Sequence, residues 1–137
     1  MHTKLTTAYF TMEIGIDARM PTYAGGLGIL AADIMRSCAD LRVNAACVTI
    51  GWRHGYLAQH IRADGTQEYE QFAWKKEEFL KKLPQTVTVE VEGRTVTIGC
   101  WLYTVQSGDH SVPVYFLDTD LEGNDPADRG ITGQLYG

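Results

Sequence analysis

The feature that most constrains this chain is a glycine-rich turn, Gly25-Gly26-Leu27-Gly28, that runs directly into a helical pattern ending near Leu41. Adjacent glycines let the backbone turn tightly and place no Cβ in the way of a ligand. The first amides of the helix behind them lack intrahelical acceptors and sit at the positive end of its dipole. Such a turn offers main-chain donors to a phosphate or another anion, and a plain tight turn is the alternative of equal weight.

Leu27, Leu30, Ala31, Ile34, Cys38 and Leu41 recur at three- and four-residue steps, with Asp33, Arg36, Ser37 and Asp40 on the other side. That spacing predicts a helix with one buried stripe and one wet face. Asn44 stands where a left-handed residue would end it, and Ala45 to Ile50 read as a strand covered on both faces. Thr6 to Met12 supplies a preceding strand, and the stretch from Asp17 to Tyr23, containing Pro21, a loop. Strand, glycine turn, helix and strand make a βαβ unit with parallel strands, and the turn falls at their carboxyl end, the usual ligand edge of an α/β layer.

The rest of the pattern is antiparallel. Asp64-Gly65 predicts a hairpin pairing Tyr56–Arg62 with Gln67–Phe72, and Glu92-Gly93 predicts a second one within Thr86 to Val105. Between them, Trp74 to Lys82 crowds charges of both signs and reads as a solvated helix or loop. Ser107 to Ser111 reads as a polar loop, and Val112 to Leu117 as another strand. Asp118, Thr119 and Asp120 follow it as turn caps rather than ligands. In Gly123 to Gly137, Asn124-Asp125-Pro126 opens a helix that Gly130 and Gly133 interrupt, so this end is expected to be weakly helical, or frayed when isolated.

With 137 residues, 45% of them hydrophobic, the chain can build one domain around a real core, and its net charge of −5 disfavours a nucleic-acid or anionic-membrane surface. No run approaches the roughly 18 apolar residues of a membrane span. The N-terminus lacks a signal-peptide core, which makes the cytoplasm the default location. Cys38, Cys47 and Cys100 read as reduced packing residues, and His2, His54, His60 and His110 are too scattered for a metal site. The glycines are followed by neither the Lys-Ser/Thr of a phosphate loop nor the G-x-G-x-x-G of a dinucleotide site. Glu13 lies close behind the turn with no second carboxylate at acid/base spacing, so it reads as structural, with active-site support as the alternative. No Ser/His/Asp set can be argued from spacing.

Taken together, AYFTMEIGID, PTYAGGLGILAAD, the helix to ADLRV, WRHGYLAQHI, VEVEGRTV, VPVYFLDTD and DPADRGITGQLYG form an ordered string. It resembles the N-terminal part of the α-glucan (glycogen and maltodextrin) phosphorylases, from about Ala8 to Gly137. The likeness is to the shorter bacterial and archaeal type, since the animal enzymes carry extra regulatory sequence at the N-terminus. It implies phosphorolysis of the terminal α-1,4-linked glucose of a glucan by inorganic phosphate, giving glucose 1-phosphate with retained configuration. The implied fold is part of a Rossmann-like N-terminal lobe of a two-lobed glycosyltransferase-B-type enzyme, with an antiparallel β excursion. Residues 1–137 would then be a single, incomplete domain.

On this resemblance Gly25, Gly26, Leu27 and Gly28 match the family's glycine loop, whose main-chain N–H groups meet the substrate phosphate. The family's cofactor is pyridoxal phosphate. Its lysine, and the basic residues that neutralise both phosphates, belong to a C-terminal domain beyond this sequence, so the isolated chain is expected to be inactive and to contain no catalytic residue. Two departures stand out: Arg42 replaces a common glycine, and the animal enzymes have a cofactor-facing tyrosine near Gly15. The rival enzyme reading is a glycogen or starch synthase-type lobe, disfavoured because Tyr23 and Ala24, not a lysine, precede Gly25. The non-enzymatic rival is a truncated product or binding module that associates through its exposed strand edges as a homo-oligomer.

Overall fold

The computed structural model describes residues 4–136. His2 and Gly137 lie outside the described residues. The fold is α/β. Its main sheet is mixed: β1 (Thr7–Phe10) and β8 (His110–Asp118) flank β2 (Ala45–Ile50) in parallel, and β7 (Arg94–Ser107) continues from β8 in antiparallel register. Beyond β7 the short β5 (Lys81–Lys82) and the hairpin partner β6 (Val87–Val91) pair with different stretches of the same long strand. A second, separate sheet is the hairpin of β3 (His54–Ile61) and β4 (Gln67–Ala73).

The βαβ expectation holds. Helix α1 (Gly26–Asp40) connects β1 to β2, which pair in parallel from Thr7 opposite Ala45 to Phe10 opposite Val48. Both predicted hairpins form where glycine enters the left-handed region, with φ of +83° at Gly65 and +77° at Gly93. The expected polar loop at Ser107–Ser111 is instead a tight turn at Gly108 and Asp109, with Ser107 and His110 already paired.

The face that α1 buries is turned partly away from the predicted one: Ala31 of the predicted stripe is fully buried and Ile34 and Cys38 pack against the core, but its leucines do not. Gly28, Ala31, Ala32, Met35 and Ala39 point inward, while Leu27, Leu30 and Leu41 are exposed at 68%, 54% and 75%. The cause is adjacency: the bulky stripe and the small-residue stripe lie side by side on the helix, and the small one packs closer to the sheet. Gly28 fixes the choice, since a Cβ there would overlap Tyr23 Cβ. The inward residues meet Cys47, Val112, Val114 and Phe116, all fully buried, together with Ile14 and Met20. Each large side chain removed from water in this way contributes about 1.5–3 kcal/mol.

The opposite face of the sheet is less covered. Val48, Leu102, Tyr115 and Leu117 line an open apolar groove there and are only half-buried, so β2 is not sealed on both faces as its composition predicts. The helix end also differs from expectation. The left-handed residue is Arg42, at φ +57°, not Asn44.

The C-terminal segment takes the weakly helical form of the two expected. Helix α2 (Pro126–Arg129) is short, capped by the Asp125 side chain accepting from Ala127 N at 2.9 Å, but Asp128, Thr132 and Leu135 behind it are buried. Leu135 N donates to His54 O, tying this segment to β3. Among the described residues no helix is long and apolar enough to cross a membrane. The cysteines are unpaired, and burial pushes the Cys47 thiol up to about 12, in keeping with a packing role.

Candidate functional site

The carboxyl ends of the parallel strands form one edge of the sheet, and the glycine turn lies beside the first of them. After β1 the chain runs through Thr11–Gly15, a segment laced to the turn by backbone bonds: Ile14 N to Thr22 O at 3.0 Å and Gly15 N to Gly28 O at 2.8 Å. The buried Thr22 hydroxyl adds a bond to Ile14 O at 2.6 Å, and Trp52 Nε1 donates to Met12 O at 2.9 Å. The turn is therefore held in place by the segment that follows β1, not by its own side chains.

Glu13 is a charged group drawn into this lacework, and the residue is only 3% exposed. Its Oε2 accepts from Ala24 N at 2.6 Å and from Gly25 N at 3.4 Å, while Oε1 accepts from the Tyr136 hydroxyl at 2.8 Å. That bond, followed by burial and the Glu13 charge, raises the Tyr136 phenol above its ordinary value. Of the expected residues, the structure thus brings Glu13 to the glycine turn and adds Tyr136, which nothing in its sequence neighbourhood indicates.

Gly25 caps α1 without a side-chain bond, and the first turn of the helix contains no acidic residue. Gly28 N and Ile29 N both bond Gly25 O. The N–H groups of Gly26 and Leu27 find no acceptor among the described residues, and both positions are exposed. A Cβ added at Gly25 or Gly26 would meet nothing, and neither residue has a positive φ. Folding therefore gives no steric or conformational reason for glycine at either position; Gly28, by contrast, is needed for packing. An open cavity of about 250 Å³ adjoins the turn, with Tyr23, Ala24, Tyr56 and Phe72 in its wall.

A second polar cluster occupies the same edge, around Asp118 at the end of β8. Lys76 Nζ, Trp101 Nε1, Thr132 Oγ1 and Asp120 N all bond its carboxylate, at 2.7, 3.0, 3.2 and 3.0 Å. Asp120 pairs with Arg53 and Arg129. Asp118 does cap the turn after its strand, as its position predicts, but Lys76 is not the solvated residue its charged surroundings suggest. It lies in a 3-10 turn, Lys76–Glu78, with its side chain only 11% exposed. Among the described residues no group of His, Cys, Asp and Glu is arranged to hold a metal ion.

No family model matches the chain. The chain is 36% identical to the maltodextrin phosphorylase of Thermococcus litoralis, over an alignment that covers 93% of its length. It is 34% identical to the glycogen phosphorylase of Mycobacterium tuberculosis over 95% of its length, and 33% identical to that of Aquifex aeolicus over 97%. By sequence, the chain belongs with the N-terminal part of the glycogen and maltodextrin phosphorylases. The chain spans 16% of the length of the first two phosphorylases and 20% of the third.

Proposed function

We propose that this chain supplies the phosphate-binding turn of an α-glucan phosphorylase, an enzyme that cleaves the terminal α-1,4-linked glucose of a glucan with inorganic phosphate to release glucose 1-phosphate. One observation carries the reading. Gly26 and Leu27 present free N–H groups at the positive end of a fifteen-residue helix, on a turn whose two exposed glycines the fold itself does not require. Close approach of an anion to the backbone is what their missing side chains permit. The phosphorylase relatives, named for activities that consume a glucan, support phosphate as that anion.

In this reading the chain is the first part of a Rossmann-like lobe, a single incomplete domain in a two-lobed enzyme, and its contribution is to hold and orient phosphate at Gly26 and Leu27. Fixed donors aimed at the charge of a reacting phosphate need no reorganisation during the reaction. Pyridoxal phosphate supplies an acid/base group in such enzymes. The cavity beside the turn has no lysine in its wall to anchor that cofactor, so no step is assigned to it on this chain. The isolated chain is accordingly expected to bind phosphate without catalysing phosphorolysis.

Phosphate titration of the full 137-residue chain, followed by backbone amide NMR, tests this. The Gly26 and Leu27 amides should shift together and saturate. Gly26→Val should abolish the shifts, by crowding the amides, while leaving the protein folded. A phosphate response elsewhere only, or an unchanged affinity in Gly26→Val, would refute the proposal.

A further inference from the structure

We propose that Glu13 is a positioning residue for the anion site: a resident carboxylate that closes the Ala24 and Gly25 amides to any external anion and sets how weakly the next two amides hold one. This rests on the phosphate reading of the turn. Glu13 reaches across 11 residues to Ala24 and 123 residues to Tyr136, so one side chain joins the end of β1, the glycine turn and the C-terminal segment. All its partners are neutral donors. Among the described residues no lysine, arginine or histidine forms an ion pair with it. The carboxylate is held by two N–H groups, one hydroxyl and the positive end of α1.

Two consequences follow, with opposite effects on binding. By fixing Ala24 and Gly25, the side chain orders the turn from which the Gly26 and Leu27 amides project. By its charge, it opposes any second anion on those amides and penalises a doubly charged one most. In a site screened to an effective dielectric of roughly 20 or more, a like charge a few ångströms away weakens binding by about tenfold or more. A bare helix N-terminus would prefer the more highly charged anion, whereas this one should not.

The test uses the full chain at low ionic strength with inorganic phosphate as the probe. Glu13→Gln keeps both hydrogen-bonding ends: the amide oxygen accepts from Ala24 N, and the amide nitrogen donates to the Tyr136 oxygen. It should bind phosphate about tenfold more tightly than wild type, with the gain shrinking as salt is added, while Ala24 and Gly25 stay protected from hydrogen exchange. Glu13→Ala should expose those amides. A purely structural role predicts no gain in Glu13→Gln, and an affinity equal to or below wild type with both amides still protected overturns the inference. Wild type supplies an independent measurement: in mildly alkaline buffer it should bind singly charged dimethyl phosphate at least as well as inorganic phosphate, and a clear preference for the dianion also overturns it. If neither wild type nor Glu13→Gln binds phosphate, the reading of the turn itself fails and takes this inference with it. Binding at Gly26 and Leu27 that ignores the Glu13 charge would sink this inference alone.

Discussion

Lys76 Nζ lies 2.7 Å from Asp118 Oδ2, with the two side chains only 11% and 7% exposed. The pair joins the end of β8 to the 3-10 turn across 42 residues, and Trp101 Nε1 shares the same carboxylate oxygen. Removing the cation alone would leave a buried carboxylate with neutral donors only. Lys76→Met should therefore destabilise the fold by about 3 kcal/mol, the usual cost of breaking a buried pair from one side. Urea denaturation of both proteins checks this, and a loss below about 1 kcal/mol would mean that water reaches Asp118.

The same pair carries a pH signature. Burial pushes the Asp118 carboxyl up, but the charge and hydrogen bond of Lys76, with the Asp120 amide and the Trp101 indole, outweigh it and hold the group below the ordinary 3.8. The folded state then binds fewer protons than the unfolded one in that range. Its contribution is complete above the unfolded value and is lost as the pH falls through the lower, folded one. Denaturation curves collected from neutral to strongly acidic pH should show stability falling below about 4, and a shallower acid limb in Lys76→Met. Parallel acid limbs in the two proteins would refute the assignment to Asp118.

What the sequence made legible was local. Asp64-Gly65 and Glu92-Gly93 announce their hairpins because two-residue turns need particular backbone angles, and Ala45–Ile50 reads as a strand from composition alone. The helix was legible but its buried face only in part: Leu27, Leu30 and Leu41 outrank Gly28, Ala32 and Ala39 in hydrophobicity, and the close approach of Gly28 to Tyr23, which favours the small-residue side, is a tertiary contact. Partners far apart in sequence were invisible. Asn124 reads as part of a helix-opening turn, yet its side chain accepts from Thr97 N and donates to Thr97 O and Thr119 O, clamping β7 to the C-terminal segment. Glu13 could be singled out by its place behind the glycines, whereas its bond to Tyr136 could not.

The glycines of the turn should separate into two kinds. Gly28→Ala forces a methyl group against Tyr23 Cβ and to 3.1 Å from Glu13 Oε2, and should cost about 2 kcal/mol by overpacking. Gly26→Ala meets nothing and removes a flexible residue from the first helical turn, so it should leave stability unchanged or raise it by about 0.5 kcal/mol. Thermal melts of the two variants decide the matter. Equal losses would mean that the turn is rigid for reasons other than packing at Gly28.

Arg42 closes α1 in the left-handed region, at φ +57°, and its guanidinium pairs with Asp109 in the β7–β8 turn. Both side chains are more than half exposed, so the pair contributes little. The backbone conformation is the larger effect, since a Cβ in that region costs about 1–2 kcal/mol. Replacing Arg42 by alanine removes the pair and keeps the strain, whereas glycine removes both. Arg42→Gly should therefore be about 1 kcal/mol more stable than Arg42→Ala, reversing the order the two residues show within a helix. Chemical denaturation of both variants measures the difference directly. An alanine variant at least as stable as the glycine one would show that residue 42 leaves the left-handed region once its pair with Asp109 is gone.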